Sequence, residues 1–393
     1  MSFIPKSNSS KTLVSILIVV SIVLLRFAWG NFDWTYFIVL GDNFVSEQII
    51  GEEVIIQKGP GYDGQFYYAL AKDPFSFEKV KGGVIVDHPP YRHQRILYPL
   101  LAHIAAFGIP SFIPFMLVLI NMISLIIISF TVSNFKFIAS IKWSFYLPFL
   151  ISGLWMSLSR DLTECIEVLL LVLALKSLFE NRLYLFVFLS SLALLTRETT
   201  IIFIGAMTAI WFWRDMSSPQ LLRYKIQNSL LLTVPFLLLS FWKLILLHSY
   251  PSSELVSASS NITFPFNGLY MSFMTNLKSI ESPKSYIEFL VWIAFLIWQF
   301  CIFGLGINAM TFKFKSQFVG STLSVLGVIG ISFASVFSIS IYIDDWAFLR
   351  ILSSLDLFLF LLILNQKKAL PNWFSIATIF LALLTIARII FKV

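Results

Sequence analysis

The chain has 393 residues, 58% of them hydrophobic and only 12% charged, against roughly 25% charged in an ordinary soluble domain. That balance excludes a water-soluble globular protein, which has no way to hide so much apolar surface. The formal net charge of +7 is scattered between apolar runs rather than gathered into one patch, which argues against nucleic acid as a partner. The two cysteines, Cys165 and Cys301, offer neither a disulfide framework nor a metal-ligand spacing.

In chain order, the run Leu13–Leu25 predicts a helix over 12–30. Ala28-Trp29-Gly30 has the small-x-small pattern of a signal-peptide cleavage site. The apolar stretch is long, however, and Trp29, Phe32 and Trp34 resemble an interfacial aromatic belt, so the segment reads as a retained anchor. A long polar segment follows, extending to residue 110 as a first extracytoplasmic loop over 31–110. Within it, Gln65–Lys72 suits a short helix stopped by Asp73-Pro74. A helix over Tyr91–Ala106 would be too short for the ~20 residues a span needs, so it is expected along the outer surface. Further helices are predicted over 111–134, 138–157, 162–180, 183–196, 198–213, 227–247, 286–309, 318–341, 350–365 and 372–391, with a second extracytoplasmic loop over 249–285. These runs do not alternate in polarity as barrel strands would, and a backbone in lipid must satisfy its own hydrogen bonds, so they are helices. The pair 183–196 and 198–213 is short enough to meet partway through the membrane. The expected fold is all-α: one integral membrane domain over 1–393, a polytopic bundle of about eleven transmembrane helices.

Charge orients the bundle. Lysines and arginines mark every second boundary: Lys6 and Lys11, Lys136 and Lys142, Lys176 and Arg182, then Arg214, Arg223 and Lys225, then Lys313 and Lys315, then Lys367 and Lys368. The alternate boundaries hold most of the acids, among them Glu47, Glu52, Glu53, Asp63, Asp87, Glu254, Asp344 and Asp345. The positive-inside rule then puts the N-terminus in the cytoplasm and the acids outside the cytoplasmic membrane, with anionic lipid beside the basic clusters. No convincing internal repeat is present, which weakens an inverted-repeat transporter.

The densest polar and aromatic text lies in the first loop, as Gly59-Pro60-Gly61-Tyr62-Asp63-Gly64-Gln65-Phe66-Tyr67-Tyr68 and as Asp87-His88-Pro89-Pro90-Tyr91-Arg92-His93-Gln94-Arg95. Asp63 has two compatible readings. It is placed to cap the short helix, and the flanking Gly61 and Gly64 would let a substrate approach its carboxylate. Arg92 and Arg95 share a face if their segment is helical; they either grip a phosphate or snorkel to lipid headgroups. Asp87 and His88 are too few ligands for a metal. Arg160, Asp161 and Glu164 open a later helix, with capping-box-like spacing between the two acids. Arg197 and Glu198 join two short helices at membrane depth, where charge is costly; they either face a functional cavity or simply pair with each other. Arg350 is placed to face the same cavity, while Asp344 and Asp345 read as solvated. All these clusters map to one side of the membrane.

The block Gly-Tyr-Asp-Gly-Gln-Phe-Tyr-Tyr, then Pro-Tyr-Arg-His-Gln-Arg-Ile-Leu-Tyr-Pro, then Leu-Thr-Arg-Glu-Thr resembles bacterial membrane proteins linked to cell-surface glycopolymer formation, a group similar to the GT-C glycosyltransferase superfamily. The motifs cover mainly 59–100 and 195–200. The resemblance implies a long first external loop with an early acidic residue as catalytic base, and inverting transfer of a sugar from a polyprenyl-phosphate donor to a surface glycan or lipid-linked acceptor. Asp63 matches that acid by position. Many members have two adjacent acids there, whereas a glycine follows Asp63, so Asp73 and Asp87 stay in reserve. The resemblance makes Arg92, Arg95, Arg160, Arg197 and Arg350 candidates for the lipid phosphate, with Asp161, Glu164, Glu198 and Gln65 as polar substrate contacts. It makes Tyr62, Tyr67, Tyr68 and Tyr91 candidates for stacking on sugar. No cofactor or metal is implied. A transporter or flippase, and a non-catalytic component of polysaccharide assembly, are the rival readings.

Overall fold

The structure is a computed structural model that describes residues 8–46, 54–141, 143–219, 221–251, 261–367 and 370–391. Lys6, Glu47, Glu52, Glu53, Lys142, Glu254 and Lys368 lie outside the described residues. The chain is mostly helical, with almost no sheet. Its first helix, α1 (Asn8–Trp29), is followed by α2 (Gly64–Lys72), α3 (Pro89–His93) and α4 (Leu97–Ala105) in the first loop. The bundle continues with α5 (Ile113–Ser133), α6 (Ser152–Ser159), α7 (Glu164–Phe179), α8 (Leu183–Thr196), α9 (Ile201–Met216) and α10 (Leu222–Ser249). After α11 (Asn267–Lys278) come α12 (Pro283–Ala309), α13 (Phe318–Ser335), α14 (Ile339–Tyr342), α15 (Asp345–Ile351), α16 (Ser353–Asn365) and α17 (Asn372–Phe391).

Six of these helices are long and apolar enough to cross a membrane: α1, α5 with its preceding turn, α10, α12, α13 and α17. A seventh is added if α15 and α16, bent by 55° at Leu352, form one span. The chain is a multi-pass membrane protein. Only 22% of the span residues of α1 and of α10 are buried inside the protein, as expected of helices whose apolar surface meets lipid rather than water. Of the about eleven expected crossings, the others are shorter. Helices α7, α8 and α9 have 16, 14 and 16 residues, or about 21–24 Å at 1.5 Å per residue, below the ~30 Å of a hydrocarbon core.

The helix expected over 138–157 is broken. Residues 144–150 form a tight 3-10 stretch containing Pro148, Ile151 is extended, and α6 begins only at Ser152. Proline removes a backbone donor and cannot continue an α-helix from the preceding turn. The expected helix over 91–106 is likewise split into α3 and α4, and α4 does not lie free on the surface. It packs against α2 and α5, leaving Ile104 and Phe107 exposed at its end.

Helix α5 is the pivot of the N-terminal half, in contact with α1, α4, α6 and α7. In the C-terminal half, α16 is surrounded by α7, α12 and α13, and its residues 353–364 are all buried. The first loop has a core of its own. Every residue of α2 from Gly64 to Ala71 is buried, beneath a parallel pair, β1 (Leu40–Gly41) with β2 (Ile56–Gln57), and a hairpin, β3 (Val80–Lys81) with β4 (Val84–Ile85). Gly82 and Gly83 make the hairpin turn at φ +52° and +81°, the doubly left-handed backbone that two-residue hairpins need.

Candidate active site

Two glycines seat Asp63 at the start of α2. Gly61 has φ +62°, and a Cβ there would lie 2.4 Å from the Gly41 nitrogen. A Cβ on Gly64 would lie 2.1 Å from the Arg160 carbonyl oxygen. The close approach these glycines permit is therefore by protein backbone, not by substrate. Asp63 holds the capping position, yet its side chain makes no hydrogen bond to the helix. It meets two arginines instead: Oδ1 lies 3.1 Å from Arg92, and Oδ2 accepts from Arg350 at 2.8 Å. Its side chain is 21% exposed. Burial alone would raise the carboxyl, but Arg92 and then Arg350 together outweigh it and hold Asp63 well below the usual carboxylate range.

These pairs belong to a chain of alternating charge. Arg92 also grips Asp87 with a two-pronged fork, Nε to Oδ1 at 2.8 Å and a terminal nitrogen to Oδ2 at 2.7 Å. Arg350 reaches on to Glu164 at 3.5 Å. Arg197 bridges Glu164 at 2.7 Å and Glu167 at 3.4 Å, and Glu167 accepts from Ser354 at 3.1 Å. The order is Asp87, Arg92, Asp63, Arg350, Glu164, Arg197, Glu167. A separate fork joins Arg95 to Glu198, at 2.9 Å and 2.6 Å, and Arg95 also donates to the hydroxyls of Tyr67 and Tyr91. Arg197 and Glu198, adjacent in sequence, therefore do not pair with each other. They are splayed because Arg197 has an extended backbone between α8 and the turn that opens α9.

Asp63, Tyr91, Arg92, Arg95, Arg197, Glu198 and Arg350 line one cavity of about 570 Å³. That size is within the range of small-molecule sites. These residues come from the first loop, the α8–α9 turn and α15. The rest of the lining is largely apolar: Ile201, Ile202, Ile262, Phe333, Phe337, Ile341, Ala347 and Ile351. His88, Thr199, Lys243, Asn261 and Ser340 add polar groups to the lining.

The other expected substrate residues do not line this cavity. Gln65 is a loop brace, its amide donating to the Pro60 carbonyl at 2.9 Å and accepting from the Gly41 nitrogen at 3.0 Å. Tyr67 and Tyr68 face inward; Tyr67 supports Arg95, and the ammonium of Lys72 lies 4.6 Å from the Tyr68 ring. Tyr62 is a platform for cations, with the guanidinium of Arg160 4.2 Å away and that of Arg350 5.0 Å away. Arg160 is stacked between Tyr62 and Trp346, which lies 4.0 Å away, and it opens onto a separate, smaller cavity. Asp161 is fully buried at φ +50° with both oxygens unpartnered, and Glu164 sits behind the cavity wall. The two acids therefore make no capping box; Thr163 is the residue before α7, and it does not cap either. Asp345 is not solvated but paired with Arg388, while Asp344 caps α15 through the Trp346 nitrogen at 3.1 Å. Of the reserve acids, Asp87 is bound to Arg92, and Asp73, at the far end of α2, accepts from the Ser76 nitrogen at 3.2 Å.

Two residues of the site region do not stand out from the motifs in sequence. Lys243 is the single charge in the apolar run of α10, a signal that the cost of intramembrane charge makes readable. His93 docks α10 onto the loop: Trp242 donates to its carbonyl at 3.0 Å, and its ring joins Tyr250 and the Pro74 carbonyl, each at 2.7 Å. A carbonyl only accepts, so Nε2 carries the proton and Nδ1 accepts from the Tyr250 hydroxyl. Burial pushes the ring down to about 4, which keeps it neutral. No family model matches the chain, and no curated protein or solved structure matches it.

Proposed function

We propose that the chain is an inverting membrane glycosyltransferase of the GT-C type, acting outside the cytoplasmic membrane with a sugar carried on a polyprenyl phosphate. The observation that carries this reading is the cavity: an ionised carboxylate held between two arginines, in a pocket whose remaining lining is largely apolar. An amphiphilic donor has both parts. Its phosphate matches the arginines and its prenyl chain the apolar lining residues.

In the proposed step the acceptor hydroxyl oxygen bonds to the anomeric carbon, and the bond from that carbon to the phosphate oxygen breaks. The bonding pair leaves with the phosphate, and the hydroxyl proton passes to Asp63. Fixed arginines stabilise the charge that grows on the leaving group. Two arginines on Asp63 keep it ionised but lower its basicity. A phosphate that draws on Arg92 or Arg350 loosens those pairs and restores basicity as the donor binds. One observation favours the rival non-catalytic reading: both oxygens of Asp63 are already engaged, as in a structural ion pair.

The test is the surface-glycan composition of cells lacking the protein, rescued by wild type or by Asp63→Asn, with membrane levels of both measured. A general base is worth about 10²–10⁴ in rate, so the variant is expected to accumulate normally and leave the missing sugar unrestored. Full restoration by Asp63→Asn would remove the catalytic assignment and favour the transporter or assembly-component reading.

A further inference from the structure

The cavity's positive charge is almost all committed. Arg92 is paired with Asp63 and Asp87, Arg95 with Glu198, Arg197 with Glu164 and Glu167, and Arg350 with Asp63 and Glu164. Each of those guanidiniums already faces a carboxylate within 3.5 Å. An anion that enters must compete with fixed acids for every one of them.

Lys243 is different. It lines the same cavity, and it makes no ion pair with any of the described residues. It is the one charged residue in Leu230–Leu247, a stretch otherwise suited to lipid. A lone charge there is costly unless it has a counter-ion or water to meet. Its position is set by the loop. The neighbouring Trp242 is hydrogen-bonded to the His93 carbonyl at 3.0 Å, and Tyr250 is hydrogen-bonded to the His93 ring at 2.7 Å, so α10 is held against the first loop on both sides of Lys243.

We infer that Lys243 is the phosphate anchor of this cavity, the residue that makes the main contact to the charged head of a polyprenyl phosphate, with Arg92 and Arg350 drawn only in part from their carboxylates toward it. The inference rests on the lipid-phosphate reading of the cavity and names the residue that does the binding. Chemistry favours lysine in this role. Its ammonium has three rotatable donors on a flexible stem, so it follows a phosphate as that group changes from a diester in the donor to a monoester in the product. The arginine forks, fixed on their carboxylates, do not move as freely. The apolar lining at Phe333, Phe337, Ile262 and Ile341 then takes the first part of the prenyl chain.

The experiment uses the full chain in lipid nanodiscs and two probes, a polyprenyl phosphate and the matching polyprenol, which lacks the phosphate. Wild type is expected to prefer the phosphate. Lys243→Gln is expected to lose about tenfold or more of that preference while its affinity for the polyprenol stays unchanged, and Lys243→Arg is expected to retain most of it. Because Lys243 supports no ion pair among the described residues, the thermal midpoint of Lys243→Gln should match wild type, which separates lost binding from lost fold. If Lys243→Gln keeps the full preference, the anchor assignment is wrong and the arginines hold the phosphate, while the transferase reading survives. The anchor assignment fails equally if the variant loses affinity for both probes to the same extent. If wild type itself shows no preference for the phosphate, the lipid-phosphate reading and this inference fall together.

Discussion

The two ends of the Asp87-to-Glu167 charge chain are built from the same residue types, yet they sit in different surroundings. At the cavity end, the Asp63 side chain is 21% exposed and shares its arginines with Asp87 and Glu164. At the inner end, the side chains of Arg197, Glu164 and Glu167 are 4%, 2% and 3% exposed, and one arginine serves two acids. An ion pair open to a cavity can exchange partners with a ligand or with water. Arg197 also borders the cavity, but its acids Glu164 and Glu167 do not line it and are almost fully buried, so removing the arginine strands them. Identical chemistry therefore divides into a part suited to work on a ligand and a part that holds the helices carrying it.

That division can be broken by mutation. The largest effect on stability is expected for Arg197→Met, which leaves Glu164 and Glu167 facing each other without their shared cation; a loss of about 3–5 kcal/mol should appear as a collapse in thermal midpoint and membrane level. A near-normal midpoint would mean that the inner end is not dry. Next is Gly64→Ala. Its Cβ would overlap the Arg160 carbonyl, so α2 must shift off the α6–α7 turn, with an expected loss of about 1–3 kcal/mol and displacement of Asp63 from its arginines. Smaller still is the stability cost of Asp63→Asn, no more than about 1.5 kcal/mol, because Arg92 keeps Asp87 and Arg350 keeps Glu164. A cost matching that of Arg197→Met would make Asp63 a structural residue like Glu164 and undo the contrast.

The smallest effect concerns the docking of α10. The His93 ring titrates at about 4 in the folded chain, below the ordinary histidine value of 6.5. Between those two values the unfolded chain binds the proton that the folded chain refuses. Stability therefore falls as pH drops from 6.5 toward 4 and is unaffected by this group at neutral pH and above. Thermal midpoints measured across that window should fall less steeply for His93→Gln than for wild type. Equal slopes would place the pH dependence elsewhere.

Much of the candidate site was legible residue by residue. Asp63, Arg92, Arg95, Arg197, Glu198 and Arg350 stand out because charge is scarce in this chain and each sits at the edge of an apolar run. Their partners were not legible. Capping by Asp63 and pairing of Arg197 with Glu198 are local expectations, and in each case a residue distant in sequence supplies the actual partner. Gln65, Tyr62 and Arg160 carry the same polar and aromatic signal as the cavity residues but are used in bracing the loop and in stacking. Residue type alone does not separate these uses.

Composition and the non-alternating pattern of the apolar runs determined that this is a helical, multi-pass membrane protein, since a backbone in lipid satisfies its hydrogen bonds only in helices or closed barrels, and barrel strands alternate in polarity. Local pattern determined the short helix after Asp63 and its stop at Asp73-Pro74. Only the tertiary structure decided that Asp63 meets Arg350, 287 residues away, and that Lys243 reaches the same cavity with no acid of its own among the described residues. The physical reason is that helix and turn formation are settled within a few residues of chain. Which charge neutralises which depends on how helices from the whole length of the chain pack side by side.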